Sequence, residues 1–307
     1  MRVAVVDIGT NSTRLLVADV DGHGTVTELD RRTRVTRLGD GVDATGVLAP
    51  EAIDRVLATL DEYSAAAERL GAQARPAVLT SAVRDAANGP EFVATVEARY
   101  GLEARAIEGS EEARLSYLGA TSGRRPQGSV LVIDVGGGST ELVLGRGSDV
   151  EFAVSMQVGV VRQTERHLHA DPPECDELDR LGAEVRAVIE RSVPEPRRRR
   201  PELAIAVAGT ATSCAAIDQA LDPYDPARVH GYRLALPTLR LLLARLASLD
   251  LQARRRVRGL HPDRAPTIVA GVAILIRVLE AFHLEAFEVS EHDILHGVAL
   301  WRARRGQ

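Results

Sequence analysis

The sequence contains no lysine, and arginine accounts for all 38 of its Lys and Arg residues. A Walker A loop is therefore excluded, because that motif requires a lysine. The two cysteines, Cys175 and Cys214, lie far apart and indicate no disulfide framework. No run approaches the roughly 20 apolar residues of a membrane span. The N-terminus, MRVAVVDIGTNS, meets an acid and a glycine too early for a signal peptide. We expect a cytoplasmic protein with no membrane partner.

The sequence also lacks an excess of basic residues, since 43 acidic residues outnumber 38 basic ones and the formal net charge is −5. This balance argues against a general nucleic-acid binder, whose affinity depends on a basic surface. The planar fork of arginine suits phosphate contacts, but a compositional preference for arginine explains the same count. At 307 residues and 45% hydrophobic content, the chain favours two ordinary domains.

An internal repeat is the main feature that the sequence does contain. The segment DIGTNSTRLLV at 7–17 aligns with DVGGGSTELVL at 134–144, about one domain length further on. Each copy follows a short apolar run and precedes a β-rich one, which predicts a strand, a glycine turn and a second strand. A Rossmann fingerprint is excluded because a helix would follow its glycines. The repeat predicts two related lobes with a ligand cleft between them.

Strand and helix patterns alternate through the rest of the chain, which indicates an α/β protein. We expect a helix over about 50–70, a strand ending at Thr80 and a helix starting at Ser110, with that serine as its cap. The arginine tract PEPRRRRPE at 194–202 reads as an exposed loop rather than as a polyphosphate tether.

The two glycine turns are the best candidates for chemistry. Glycine allows main-chain N–H groups to converge on an anion, so each turn is built like a phosphate cradle. Asp7 and Asp134, at the ends of the preceding strands, are candidate magnesium ligands, and Glu141 lies across the second hairpin from Asp134. A further helix start at Gly209 and Thr210 fits either an anion site or close packing of strand and helix.

Several ordered motifs give the sequence a specific resemblance. They are AVVDIGTNSTRLLV at the start, LTSAVRDAANG at 79–89, IEGSEEARLSYLGA at 107–120, VIDVGGGSTELVLG at 132–145, VGVVR at 158–162 and VAGTAT at 207–212. The chain resembles the short, two-domain form of the exopolyphosphatase/guanosine pentaphosphatase family. That family belongs to the actin, sugar-kinase and ribonuclease-H-like superfamily. The resemblance implies two ribonuclease-H-like lobes, over 1–120 and 121–287, with 288–307 packing back on the first.

The resemblance also implies roles for individual residues. Glu112 matches the proposed base that activates water, Glu141 a glutamate of the catalytic centre, and Arg84 the arginine after the Thr-Ser strand end. Metal binding is implied for Asp134, while Asp7 and Glu141 remain the further metal candidates that their positions in the hairpins suggest. Phosphate binding is implied for the two turns and the later helix start: Asn11, Ser12, Thr13, Arg14, Gly136, Gly137, Gly138, Ser139, Thr140, Gly209 and Thr210.

The implied activity is release of terminal phosphate from inorganic polyphosphate with Mg²⁺, or Mn²⁺, as cofactor. The short form favours short to medium chains, and relatives suggest a homodimer. One alternative is hydrolysis of guanosine pentaphosphate, pppGpp. Others are a kinase or ATPase of the superfamily and a catalytically silent sensor of polyphosphate or alarmone.

Histidines near the end of the chain offer a weaker pattern. His292 and His296 are four residues apart on an expected C-terminal helix, superficially like a zinc pair. The H-E-x-x-H arrangement is absent, so we expect a packed or solvated helix here.

Overall fold

The computed structural model describes residues 1–124 and 128–305. The chain forms two compact units, Met1–Arg124 with His292–Gln307 and Arg125–Glu291. Both boundaries fall a few residues later than the expected 120 and 287. The second boundary is later because residues 286–289 form a strand of the second sheet.

Strands and helices alternate through the described residues, as the sequence patterns predict. The strands are β1 (Arg2–Ile8), β2 (Ser12–Val20), β3 (Val26–Val35), β4 (Pro76–Leu79), β5 (Glu103–Ala106), β6 (Ser129–Val135), β7 (Thr140–Arg146), β8 (Asp149–Met156), β9 (Leu203–Val207), β10 (Arg233–Ala235) and β11 (Ala286–Val289). The helices of the first unit are α1 (Val42–Thr45), α2 (Pro50–Arg69), α3 (Ser81–Asp85), α4 (Gly89–Tyr100), α5 (Gly109–Thr121) and, from the end of the chain, α13 (Ile294–Arg305). The helices of the second unit are α6 (Val160–His167), α7 (Cys175–Ser192), α8 (Ala208–Asp218), α9 (Pro226–Val229), α10 (Leu236–Ala247), α11 (Leu251–Arg254) and α12 (Ile268–Ala281).

The two sheets share one strand order, which supports the internal repeat. In the first unit the order is β3-β2-β1-β4-β5, with β1 to β3 antiparallel and β4 and β5 parallel to β1. In the second unit β8-β7-β6-β9-β11 reproduces this order and these directions, and β10 adds an antiparallel edge strand. The expected α/β class is confirmed.

Helices cover both faces of the first sheet. Alternate residues of β1 explain this, because Ala4, Val6 and Ile8 pack in the cluster that includes α2, whereas Val3 and Val5 pack in the cluster that includes α13. In the second unit, the very apolar α12 lies in one large core cluster with buried residues of β6, β7 and α7.

Two glycines bring α5 and α13 close together in the first unit. A Cβ atom on Gly297 would lie 1.9 Å from the carbonyl oxygen of Leu115, and one on Gly119 would lie 1.8 Å from that of Asp293. Any side chain at either position would push the two backbones apart.

Some local expectations were wrong. Helix α5 begins at Gly109 with Glu108 as its N-cap and no side-chain cap, so Ser110 lies inside the first turn. Helix α13 begins at Ile294, which leaves His292 before the helix. None of the helices in the described ranges combines the length and apolarity that crossing a membrane requires.

Candidate functional site

Each unit carries one acid-and-glycine turn, and the two turns have the same geometry. In the first, the N–H of Gly9 donates to the carbonyl of Ser12 at 3.0 Å. In the second, the N–H of Gly136 donates to the carbonyl of Ser139, also at 3.0 Å. The flanking strands pair in equivalent register, because Ile8 lies opposite Thr13 and Val135 lies opposite Thr140.

The middle residues of both turns hold main-chain donors that the fold does not use. Among residues 1–124 and 128–305, the N–H groups of Thr10 and Asn11, and those of Gly137 and Gly138, have no hydrogen-bond acceptor. These residues are buried or half-buried, and native proteins seldom leave such groups unsatisfied. Successive unbonded N–H groups in a turn form an anion-binding concavity. Both turns are therefore suited to bind phosphate.

Residues at the start of helix α6 donate hydrogen bonds to the carbonyl groups of the second turn. The N–H groups of Val160 and Val161 donate to the carbonyls of Gly136 and Gly137 at 2.9 and 2.8 Å. The guanidinium of Arg162 donates to the carbonyl of Gly138 at 3.0 Å. These bonds hold the carbonyl groups of the three glycines in place. The N–H groups of Gly137 and Gly138 are then the groups of this turn that can bind an anion. The VGVVR motif was noted in the sequence, but its supporting role was not foreseen.

Two carboxylates lie side by side at the start of the second turn. Asp134 on β6 is directly opposite Glu141 on β7, as the hairpin predicted, and Glu141 is in turn opposite Ser155 on β8. The Ser155 hydroxyl donates to Glu141 Oε1 at 2.7 Å. Both acids are buried. Directly opposite residues share a sheet face with Cβ atoms about 4.5–5.5 Å apart, so the two carboxylates are placed to bind one hard cation.

The first unit replaces the second acid of this pair with a base. Arg14 occupies the position opposite Asp7, and its guanidinium lies 2.6 Å from Asp7 Oδ2. Its Nη1 also donates to Asp293, which precedes α13. Because the guanidinium is held between two buried carboxylates, the structure does not support the expected phosphate contact by Arg14.

The two carboxyls that share Arg14 differ in their electrostatics. Burial raises the pKa of Asp7 above its ordinary value, although Arg14 opposes the shift. Burial also opposes ionisation of Asp293, but Arg14 and Arg31 outweigh it and lower the pKa of that carboxyl. Asp7 Oδ1 is buried without a hydrogen-bond partner in the described part of the chain. That oxygen is the one part of Asp7 still suited to the predicted metal contact.

Arg84 and Glu112, both predicted to be catalytic, are in direct contact. Arg84 at the end of α3 lies 3.2 Å from Glu112 Oε2 in the first turn of α5, and its Nη1 also donates to the Ile107 carbonyl at 2.8 Å. The glutamate is only 9% exposed. Arg84 Nη2 is buried with no partner within 1–124 and 128–305, so it remains able to donate to a bound anion.

The hydroxyl groups of Thr13 and Thr140, both predicted to contact phosphate, form hydrogen bonds within the protein instead. The Thr13 hydroxyl is paired with the Thr36 hydroxyl at 2.9 Å, and the Thr140 hydroxyl donates to the Val158 carbonyl. Both threonines are fully buried. The structure therefore does not support phosphate binding by these side chains, which hold the hairpins to the neighbouring segments. Asn11 and Ser139 are buried and Ser12 is half-buried, each within its turn.

An arginine that sequence reasoning missed, Arg264 in the 3-10 turn Pro262–Arg264, packs against the start of α8. A Cβ atom on Gly209 would lie 1.6 Å from a guanidinium nitrogen of Arg264, so the glycine makes room for that side chain. The Thr210 hydroxyl is buried and lies 3.4 Å from the Val135 carbonyl. Close packing thus accounts for Gly209, while the guanidinium brings positive charge to the helix start. No pattern around Arg264 marked it in the sequence.

The arginine tract borders a separate pocket. Residues 195–197 form a 3-10 turn, and a cavity of about 730 Å³ in the second unit is lined in part by Arg198, Arg199 and Arg277. Glu190, Glu195 and Glu280 line it as well. This mixed charge does not resemble a phosphate site, and none of the residues of the two turns lines the pocket.

The fold defines an α/β protein of the actin-like superfamily, with one acid-and-glycine turn of the same geometry in each unit. The family model for the Ppx/GppA phosphatase family matches residues 15–304. The chain belongs to the Ppx/GppA phosphatase family and is a hydrolase of that class.

Known proteins resemble the chain over nearly its whole length. Exopolyphosphatase 2 of Mycobacterium tuberculosis is 40% identical over 97% of this chain and 98% of its own. A crystal structure of the Aquifex aeolicus family member is 31% identical with a TM-score of 0.84, covering 100% of this chain and 99% of that one. An exopolyphosphatase structure from Cytophaga hutchinsonii is 26% identical with a TM-score of 0.89, covering 100% and 98%. The kinase and silent-sensor alternatives receive no support from these relatives.

Proposed function

We propose that this phosphatase is an exopolyphosphatase, which hydrolyses the terminal phosphoanhydride bond of short to medium inorganic polyphosphate with Mg²⁺ as cofactor. The observation that carries the proposal is the pair of matching turns, each with two consecutive N–H groups that have no acceptor in the described part of the chain. A polymer made only of phosphate supplies the anionic group that a cradle of this kind is suited to bind. The names of the mycobacterial relatives support the same substrate.

The donor set of the second unit fits magnesium. Mg²⁺ binds through one or two carboxylates together with substrate phosphates, and Asp134 and Glu141 are two adjacent buried carboxylates beside a phosphate cradle. When bound, the ion would neutralise charge on the substrate phosphates. The serine bond to Glu141 holds that carboxylate in place. Asp7 remains a predicted further ligand through Oδ1.

The residues of the first unit have the chemistry that the hydrolysis requires. Phosphoryl transfer depends chiefly on positioning, charge neutralisation and an oriented nucleophile. Glu112 is proposed to accept the proton of the attacking water, since it is a carboxylate at the start of a helix with a fixed orientation. Arg84 holds Glu112 through Nη1 and can donate from Nη2 to the substrate. The cradle N–H groups orient the phosphates.

The test is a phosphate-release panel on the purified full chain. The substrates are short, medium and long polyphosphates, guanosine pentaphosphate and ATP, at equal concentrations of terminal phosphate. We expect the highest kcat/KM on short or medium polyphosphate, loss of activity on chelation and recovery with Mg²⁺. Faster turnover of guanosine pentaphosphate would assign the nucleotide as substrate instead, and full activity in chelator would reject the metal.

A further inference from the structure

Three side chains of metal-ligating residue types lie together in the first unit, and none of them belongs to its glycine turn. They are Glu28 on β3, His292 just before α13, and His296 in the first turns of that helix. One carboxylate oxygen and one nitrogen from each ring all lie within 4.8 Å of one another. The two imidazole rings stack with centroids 4.2 Å apart. The sequence shows the histidine pair but not Glu28, which is more than 260 residues away along the chain.

The central member of the cluster is a buried imidazole. His296 is 1% exposed, and neither of its ring nitrogens has a hydrogen-bond partner among the described residues. Its Nε2 lies 3.1 Å from Glu28 Oε1, an ion-pair distance when the imidazole is protonated, whereas its Nδ1 has no partner among the described residues. Buried polar atoms in native proteins almost always have a partner. A cation between Nε2 and the carboxylate would satisfy both.

The donor set is typical of zinc and unlike that of magnesium. Two imidazole nitrogens and one carboxylate oxygen are three protein ligands of a tetrahedral Zn²⁺ site with one position open. Magnesium prefers oxygen ligands alone. Tetrahedral ligands lie about 3.3 Å apart at Zn–N distances of about 2.0–2.1 Å, so the cluster must contract slightly. Glu28 can supply that movement, because its side chain is 37% exposed.

The surrounding charges allow a dication to bind. Arg31 lies 3.6 Å from Glu28 and competes for that carboxylate, but it also lies 3.6 Å from Asp293. If Glu28 turned to a metal, Arg31 would keep Asp293 as its counterion. Asp293 is buried between Arg31 and Arg14, so it compensates the positive charge next to His292.

We propose that Glu28, His292 and His296 form a binding site for a divalent ion of the zinc class. This site does not depend on the proposed substrate or on the magnesium ligands. It differs from them in its ligand chemistry and uses none of their residues.

The test uses Co²⁺ as a spectroscopic probe on the chelator-treated full chain. We expect one equivalent to produce the visible absorption of a tetrahedral cobalt site, and Zn²⁺ to displace it. Replacing a direct ligand should weaken binding at least as much as the roughly 10–100-fold that outer-shell substitutions cost. The variants are Glu28→Gln, His292→Ala and His296→Ala, with His23→Ala at an exposed histidine as the matched control.

The outcomes distinguish metal binding at this site from nonspecific metal binding by exposed histidines. Glu28→Gln alters an exposed strand position, so it remains informative even if His296→Ala disturbs the core. Retained binding in both Glu28→Gln and His292→Ala would overturn the proposal. An equal loss in His23→Ala, or no tetrahedral spectrum in the wild type, would overturn it as well. Elemental analysis of the dialysed protein checks the stoichiometry.

Discussion

The substitution Glu112→Gln gives the sharpest test of the proposed chemistry. It removes the negative charge of the proposed base while keeping the side-chain volume and an oxygen that can accept from Arg84. A general base contributes about 10²–10⁴-fold to rate, which corresponds to about 3–5 kcal/mol of transition-state stabilisation. We therefore expect kcat to fall by about that factor with little change in KM, because the phosphate cradles stay intact.

The neighbouring glutamate provides a matched control. Glu111 lies in the same helix turn and also pairs with an arginine, at 2.6 Å from Arg105, but its side chain is 36% exposed. A surface ion pair of this kind contributes about 0–1 kcal/mol to stability. Glu111→Gln should keep both kcat and KM. Glu112→Gln should also lower stability by about 1–3 kcal/mol, because Arg84 loses a buried, charged partner.

The assay is steady-state phosphate release from short polyphosphate, with urea unfolding of each variant to confirm that the enzyme is folded. Binding of the substrate is measured separately by calorimetry. Undiminished turnover in Glu112→Gln would reject this residue as the base. An equal loss in Glu111→Gln would show that the effect arises from general disturbance of the helix start.

Three further substitutions test other parts of the structure. Asp134→Asn should raise the Mg²⁺ concentration for half-maximal activity or abolish activity, and an unchanged metal titration would exclude a ligand role. Gly297→Ala should destabilise the protein by about 1–3 kcal/mol in urea unfolding, since the added Cβ meets the Leu115 carbonyl and overpacking outweighs the gain of about 1 kcal/mol in helix propensity; an unchanged or higher midpoint would contradict that contact. Glu177→Ala should lower the free energy of unfolding at neutral pH, because the N–H of Glu174 and those of two other residues hold the pKa of this carboxyl below its ordinary value. That stabilisation is present above the unfolded pKa of about 4.3 and is lost as pH falls through the lower folded value, so the gap between wild type and variant should close in acid.

The hairpins were predictable because their signal is local. A strand, a glycine turn and a second strand follow from alternation and glycine placement, and the register that sets Glu141 opposite Asp134 follows from the turn length. The first hairpin has the same register, with Arg14 opposite Asp7, although the sequence analysis did not state that pairing. The roles assigned to Glu112, Glu141 and Arg84 remain predictions that the geometry is compatible with.

The partners of these residues were not predictable, because they come from distant parts of the chain. The ion pair of Arg14 with Asp293 and the packing of Arg264 on Gly209 join segments with no shared pattern. Phosphate binding by Thr13 and Thr140 was expected only because the family resemblance implied it. Both hydroxyls are buried because they bond to Thr36 and to the Val158 carbonyl. Those partners lie in other segments of the chain, so the local sequence does not reveal them.

The first unit is built from both ends of the chain, whereas the second is continuous in sequence. Helix α13 covers a face of the first sheet that includes Val3, Val5 and Leu16. During synthesis on the ribosome, this face lacks the cover of α13 until that helix emerges, although its strands are made first. All residues of the second unit are thus available to complete its core before the first unit receives its last helix.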